Sequence, residues 1–102
     1  MGMINLALYP KPNPKAPAGQ RLTVATAATS VATALNTYTD AVLVDVQTDD
    51  VWMTIDGTTP TASNGHRLYA KSMYVWNRSM LEQAKFLRAN ANCAIQISEL
   101  SI

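Results

Sequence analysis

The sequence predicts an all-β protein: an antiparallel two-sheet sandwich or jelly-roll-like barrel, with one short helix and an extended N-terminal arm. Residues 41–47 and 51–56 alternate apolar and polar side chains with the period of two that a half-buried strand requires. With these two, turn-forming residues divide the chain into about seven short strand-like runs, where turn clusters bound β-branched and aromatic stretches. Only one segment, near Ser79, carries a helix-start signature, and no strand-helix unit repeats. Two packed antiparallel layers are then the economical way to bury the apolar faces, with an Ig-like sandwich as the nearest competitor.

Taken in order, residues 1–20 form the arm and 21–102 the domain. Prolines at 10, 12, 14 and 17 remove backbone donors and disfavour helix before each of them, so this stretch should be extended and unable to occupy a central strand. Ile4, Leu6, Leu8, Tyr9 and Pro10 would be wasted on a free tail, which suggests an arm laid over a neighbour. Residues 21–39 are dense in Ala and Thr; Leu22 and Val24 alternate as in a strand, residues 31–35 could start another strand or a helical turn, and 36–40 reads as a turn.

The pattern sharpens at Ala41. Val42, Val44 and Val46 share one face against Leu43, Asp45 and Gln47; Thr48-Asp49-Asp50 supplies a turn; Val51, Met53 and Ile55 then oppose Trp52, Thr54 and Asp56. Two such runs with a short polar link predict a hairpin. A loop opened by Asp56-Gly57 and closed by Asn64-Gly65 leads to a strand at 66–70, a turn at Lys71-Ser72 and a strand at 73–77 with Tyr74 and Trp76 on one side. Ser79 as N-cap and Glu82 three residues on fit a capping box, predicting a helix over 79–84 supported by Arg78–Glu82 and Glu82–Lys85 pairs. Residues 86–88 can be extended, 89–92 read as a link, and 93–100 as a last strand with Cys93, Ile95 and Ile97 inward.

With 102 residues the chain has material for one modest core. Charged residues make up 15%, well under the ~25% of an ordinary soluble domain, so partners are expected to cover part of the surface. A net charge of +1 without a basic stripe gives no electrostatic footprint for nucleic acid. No apolar run approaches the ~18 residues of a membrane helix, and the first nine residues lack a basic leader pattern, so neither anchor nor export signal is expected. A single cysteine, Cys93, excludes an intramolecular disulfide and fits synthesis in a cytoplasm.

Catalytic chemistry finds little to use. Nucleophilic catalysis needs a base and an orienting group, and the one histidine, His66, stands beside a glycine with no nucleophile elbow anywhere. His66 and Cys93 lack zinc spacing, Asp49, Asp50 and Asp56 lack the ligand spacing of a calcium loop, and four glycines never cluster into a phosphate cradle. The expectation is no catalytic residue, no metal and no cofactor, with the aspartates serving turns and Gly57 a positive φ. Trp52, Tyr74 and Trp76, on strands that could pair, would form either a packed half-core or interface, or a sugar-stacking platform.

Residues 51–69, VWMTIDGTTPTASNGHRLY, resemble the strand-loop-strand of small virion proteins of tailed bacteriophages, where an alternating strand enters a D-G-T-x-P-T-A-S-x-G-H/F-x-L loop. In such chains a segment like AKFLRANANCAIQISEL closes the domain, and here the likeness covers 41–98. The resemblance implies a non-enzymatic structural role: a decoration, or cement, protein on the capsid surface, made in the host bacterial cytoplasm, or alternatively a neck or tail completion component. It implies as partners the major capsid protein or other virion proteins and the chain itself, as a homo-oligomer with a trimer among the options. The arm residues, the loop with Thr59 and Pro60, and the Trp52, Tyr74 and Trp76 face are the expected contact residues. Residues 55–61 are also similar to the D-G-[ST]-x-P turn of the Ig-like C-terminal domain of chitobiases, a likeness that stops near Tyr69 and implies a small carbohydrate-binding module.

Overall fold

The computed structural model describes residues 11–101. Eight strands and one helix follow in the order β1 (Lys11–Pro12), β2 (Gln20–Val24), β3 (Ala41–Val46), β4 (Val51–Thr54), β5 (His66–Leu68), β6 (Ser72–Asn77), α1 (Arg78–Gln83), β7 (Lys85–Arg88) and β8 (Cys93–Ser101). All pairings are antiparallel. One sheet has β8 between β3 and an edge shared by β1 and β2, with β6 beyond β3; the other runs β5–β4–β7. Residues 25–29 extend the second sheet past β7, because Thr29 and Phe86 exchange both backbone hydrogen bonds and Arg88 N donates to Ala25 O.

With that segment included, the orders are β2–β8–β3–β6 and (25–29)–β7–β4–β5. From β2 onward every connection except β4–β5 passes between sheets. That is the double Greek key of a jelly roll. It differs from an Ig-like arrangement in placing the last strand between the first and third of one sheet.

The predicted alternation holds in β3, where Val42, Val44 and Val46 are buried and Leu43 and Asp45 half-exposed. The predicted hairpin does not form. β3 pairs with β6 and β8, while β4 pairs with β5 and β7. Thr48-Asp49-Asp50 carries the chain across the core, so both apolar faces are buried against each other as opposite layers. The interior joins these valines to Leu22, Val24, Ile95 and Ile97 on one side and Val51, Met53 and Phe86 on the other. Trp76 and Phe86 stack across it with centroids 6.3 Å apart and planes 6° from parallel.

Residues 31–35 form neither strand nor helix. Three of their backbone groups are held by one side chain: Gln20 Oε1 accepts from Ala32 N and Thr33 N, and Gln20 Nε2 donates to Thr33 O. Leu35 still closes one end of the core. The helix starts one residue before the expected Ser79 cap. Asn77, with extended φ and ψ of −70° and 161°, is the N-cap, its Oδ1 accepting from Met80 N. Glu82 therefore completes no capping box and instead pairs with Arg78 at 3.0 Å. Lys85 is already in β7 and donates to Gly57 O rather than meeting Glu82.

The proline-rich segment sits on its own domain from Lys11 onward. β1 occupies a sheet edge opposite Leu100 and Ser101, where a proline costs no ladder bond. Asn13 is buried: its N donates to Glu99 O and its Nδ2 to Thr39 Oγ1, while Thr39 Oγ1 donates to Glu99 Oε1 at 2.6 Å. Asn36 N donates to the same Glu99 oxygen, and Arg78 Nη1 donates to the carbonyls of Asn36 and Thr39. Gly19, at φ 64°, lets the chain rejoin β8, since a Cβ there would stand 2.2 Å from Ile97 O.

Candidate interaction surface

Three features of the surface carry the residues singled out by sequence. The first is the loop between β4 and β5. Asp56 Oδ1 accepts from the N and Oγ1 of Thr58, and these bonds hold its carboxyl below the usual carboxylate range. Gly57 takes φ 87° to complete that turn. Thr54 Oγ1 donates to Thr58 O, Asn64 Nδ2 to Thr58 Oγ1, and Thr61 and Asn64 bridge each other's backbone. Pro60 is fully buried beneath this frame while Thr59 is exposed at its tip. The loop is thus a rigid projection. His66 and Asp56 flank a small cavity of about 170 Å³ at its base, lined also by Thr54, Ile55, Asn64 and Gly65.

The second lies on the outer face of β4 and β5. Trp52 is half-buried there, directly opposite Arg67 in register. The guanidinium stands 5.2 Å from the Trp52 ring centroid and 5.8 Å from that of Tyr69. Asp50 fixes it, accepting from Arg67 Nε at 3.0 Å and Nη2 at 2.7 Å, and accepts from Ala70 N at 2.7 Å through its other oxygen. The Ala70 N–H and then Arg67 hold the Asp50 carboxyl below its ordinary pKa. Sequence reading gave Asp50 a turn role alone and missed Arg67. The signal was there once β4 and β5 are read as a long-looped hairpin, because Arg67 then falls beside Trp52.

The third is β6. Trp76 is buried and Tyr74 packs on the core beside it, with ring centroids 6.1 Å apart. Met73 and Val75 face outward. The expected trio therefore does not converge: β4 and β6 belong to different sheets, so Trp52 is outside one layer while Tyr74 and Trp76 line the inside of the other. One face of Trp52 is already covered by Arg67, which leaves no shared stacking platform.

Ile4, Leu6, Leu8, Tyr9 and Pro10 lie outside the described residues. Among the described residues no three His, Cys, Asp or Glu side chains gather as a metal site would, and no helix is long and apolar enough to cross a membrane. Comparisons with family models, curated proteins and solved structures returned no match. The surface presents a self-bonded loop, a clamped cation over aromatic rings, and an apolar strand.

Proposed function

We propose that this chain is a non-enzymatic structural protein of a bacteriophage virion, a capsid decoration protein that binds the head shell and stabilises it. The observation that carries the reading is the placement of the resembling segment. Residues 41–98 build most of both layers of the jelly roll, and the D-G-T-x-P-T stretch forms a self-bonded loop that displays Thr59 above a buried Pro60. Jelly rolls serve in capsid and lectin domains alike, an analogy of fold and not of site. The aromatic arrangement favours the first, because the stacking platform a lectin-like role needs is divided between two sheets.

Mechanically, a cement protein gains affinity by burying apolar surface at junctions of the shell, and repetition over a symmetric lattice multiplies weak contacts. The loop and the arm residues 1–10 supply those contacts in this account. Adding purified chain to heads stripped of it tests the reading: it should co-sediment to saturation and raise the temperature at which the shells open. Heads that neither retain the chain nor gain heat resistance would overturn it.

A further inference from the structure

The edges of the two sheets are not equally protected. Exposed strand edges invite pairing with another chain, and proteins blunt them with prolines, charges, bulges or short length. The β1/β2 edge carries Pro12 and Arg21. At the far end of the second sheet β5 is three residues long and holds Arg67, and β7 is covered by residues 25–29. β6 has none of these devices. It is six residues, Ser-Met-Tyr-Val-Trp-Asn, in unbroken register with β3 and without charge or proline. Among the described residues no strand pairs with its outer side.

Backbone alternation says which groups that side offers. Arg78 N donates to Asp40 O just past the Ala41–Asn77 pair, which makes that pair the non-hydrogen-bonded type. Counting back, Tyr74 and Trp76 bond to β3, while the N–H and C=O of Met73 and Val75 point outward. The side chains of the same two residues are 64% and 56% exposed on the outer face of the sheet. Of the five large exposed apolar side chains among the described residues, two more lie beside β6. The Tyr69 N–H donates to the Tyr74 hydroxyl, and Ile55 lines a shallow groove with Asn77, Ser79, Met80 and Gln83 at the strand's end. An unpaired edge and an apolar patch therefore coincide.

We propose that β6 pairs antiparallel with β6 of a second copy about a two-fold axis at Tyr74, joining the five-stranded sheets of the two copies into one continuous sheet. The occupant is a second copy because the edge is complementary to itself. In that register Met73 meets Val75 of the other copy and Val75 meets its Met73, so both outward donors and acceptors are satisfied twice over and both exposed apolar residues gain an apolar cross-strand neighbour. Leu43, already beside Val75 across β3, continues the stripe. No charge on β6 opposes its own image. The contact closes at two copies, and it stands or falls apart from the capsid role because it is a property of the purified chain.

Light-scattering mass and cross-linking test this together. The full chain should run at twice 11.1 kDa, and Val75→Lys, at a position whose side chain faces solvent, should run at the monomer mass with an unchanged circular dichroism spectrum. A mixture of Met73→Cys and Val75→Cys chains should form a disulfide-linked dimer under mild oxidation that neither chain forms alone; the native Cys93 is buried and stays silent. A wild-type chain at monomer mass, a dimer that persists in Val75→Lys, or a mixture that yields no cross-link would each overturn the proposal.

Discussion

Phe86→Ala should cost about 3–5 kcal/mol of folding stability, the range for truncating a large buried aromatic side chain. Phe86 has no exposed surface, and β7 lies between β4 and residues 25–29, so the cavity opens in the middle of the second sheet. Its ring is stacked on Trp76 from the opposite layer, which makes it the main aromatic contact between the two sheets among the described residues. Since domains of this kind are stable by only ~5–15 kcal/mol, the variant should lose a large share of the total. Urea unfolding followed by tryptophan fluorescence would measure it, with Phe86→Leu expected to lose less than Phe86→Ala because it leaves a smaller cavity. A loss under ~1 kcal/mol in Phe86→Ala would mean that the layers are not held by this packing.

Two truncations should behave differently, although both remove what reads in sequence as one arm. Deleting residues 1–10 leaves β1 and the Asn13 network intact, so the chain should stay folded with a wild-type melting curve while its retention on heads falls. Deleting 1–19 removes the Asn13 bonds to Glu99 and Thr39 and the pairing of β1 with the end of β8. At 0.5–1.5 kcal/mol for each of about three such bonds, roughly 2–4 kcal/mol of stability goes with them. Thermal unfolding of the two proteins checks the contrast. Equal melting points would show that the Asn13–Thr39–Glu99 cluster contributes nothing, and undiminished head retention by the shorter deletion would remove residues 1–10 from the mechanism.

The same division explains how much was legible in the sequence. Faces were readable because the period of two is local: the inward valines of β3 and the inward Cys93, Ile95 and Ile97 of β8 lie where alternation put them. Partners were not, since a strand's apolar face can be buried equally well by a sequential neighbour or by the opposite layer. β3 and β4 took the second course, and the jelly roll gives both of them neighbours distant in sequence, β6 and β8 for β3 and β7 for β4. The end of the arm was misplaced because Asn13 reads as a loop residue until Thr39 and Glu99 are brought beside it. The helix is capped by Asn77 and not Ser79 because both can cap, and the extended backbone at the end of β6 decides between them.

For the surface, the loop was legible because turn chemistry is written in adjacent residues such as Asp56, Gly57 and Thr58. The Asp50–Arg67–Trp52 cluster needed the β4–β5 pairing, which a long loop conceals. β6 did carry a readable signal. Met73 and Val75 alternate with Tyr74 and Trp76, so the strand is apolar on both faces, as a strand covered on both sides would be. Its outer face is bare among the described residues, which is the ground for assigning it a partner.

The claim that this chain coats a capsid is tested most directly by counting it. Quantitative densitometry of purified virions, calibrated with the recombinant chain and normalised to the major capsid protein, should find on the order of hundreds of copies per particle, as repetition over a shell requires. A count near six or twelve would assign it to a ring at one vertex, and its absence from purified particles would contradict a virion role altogether.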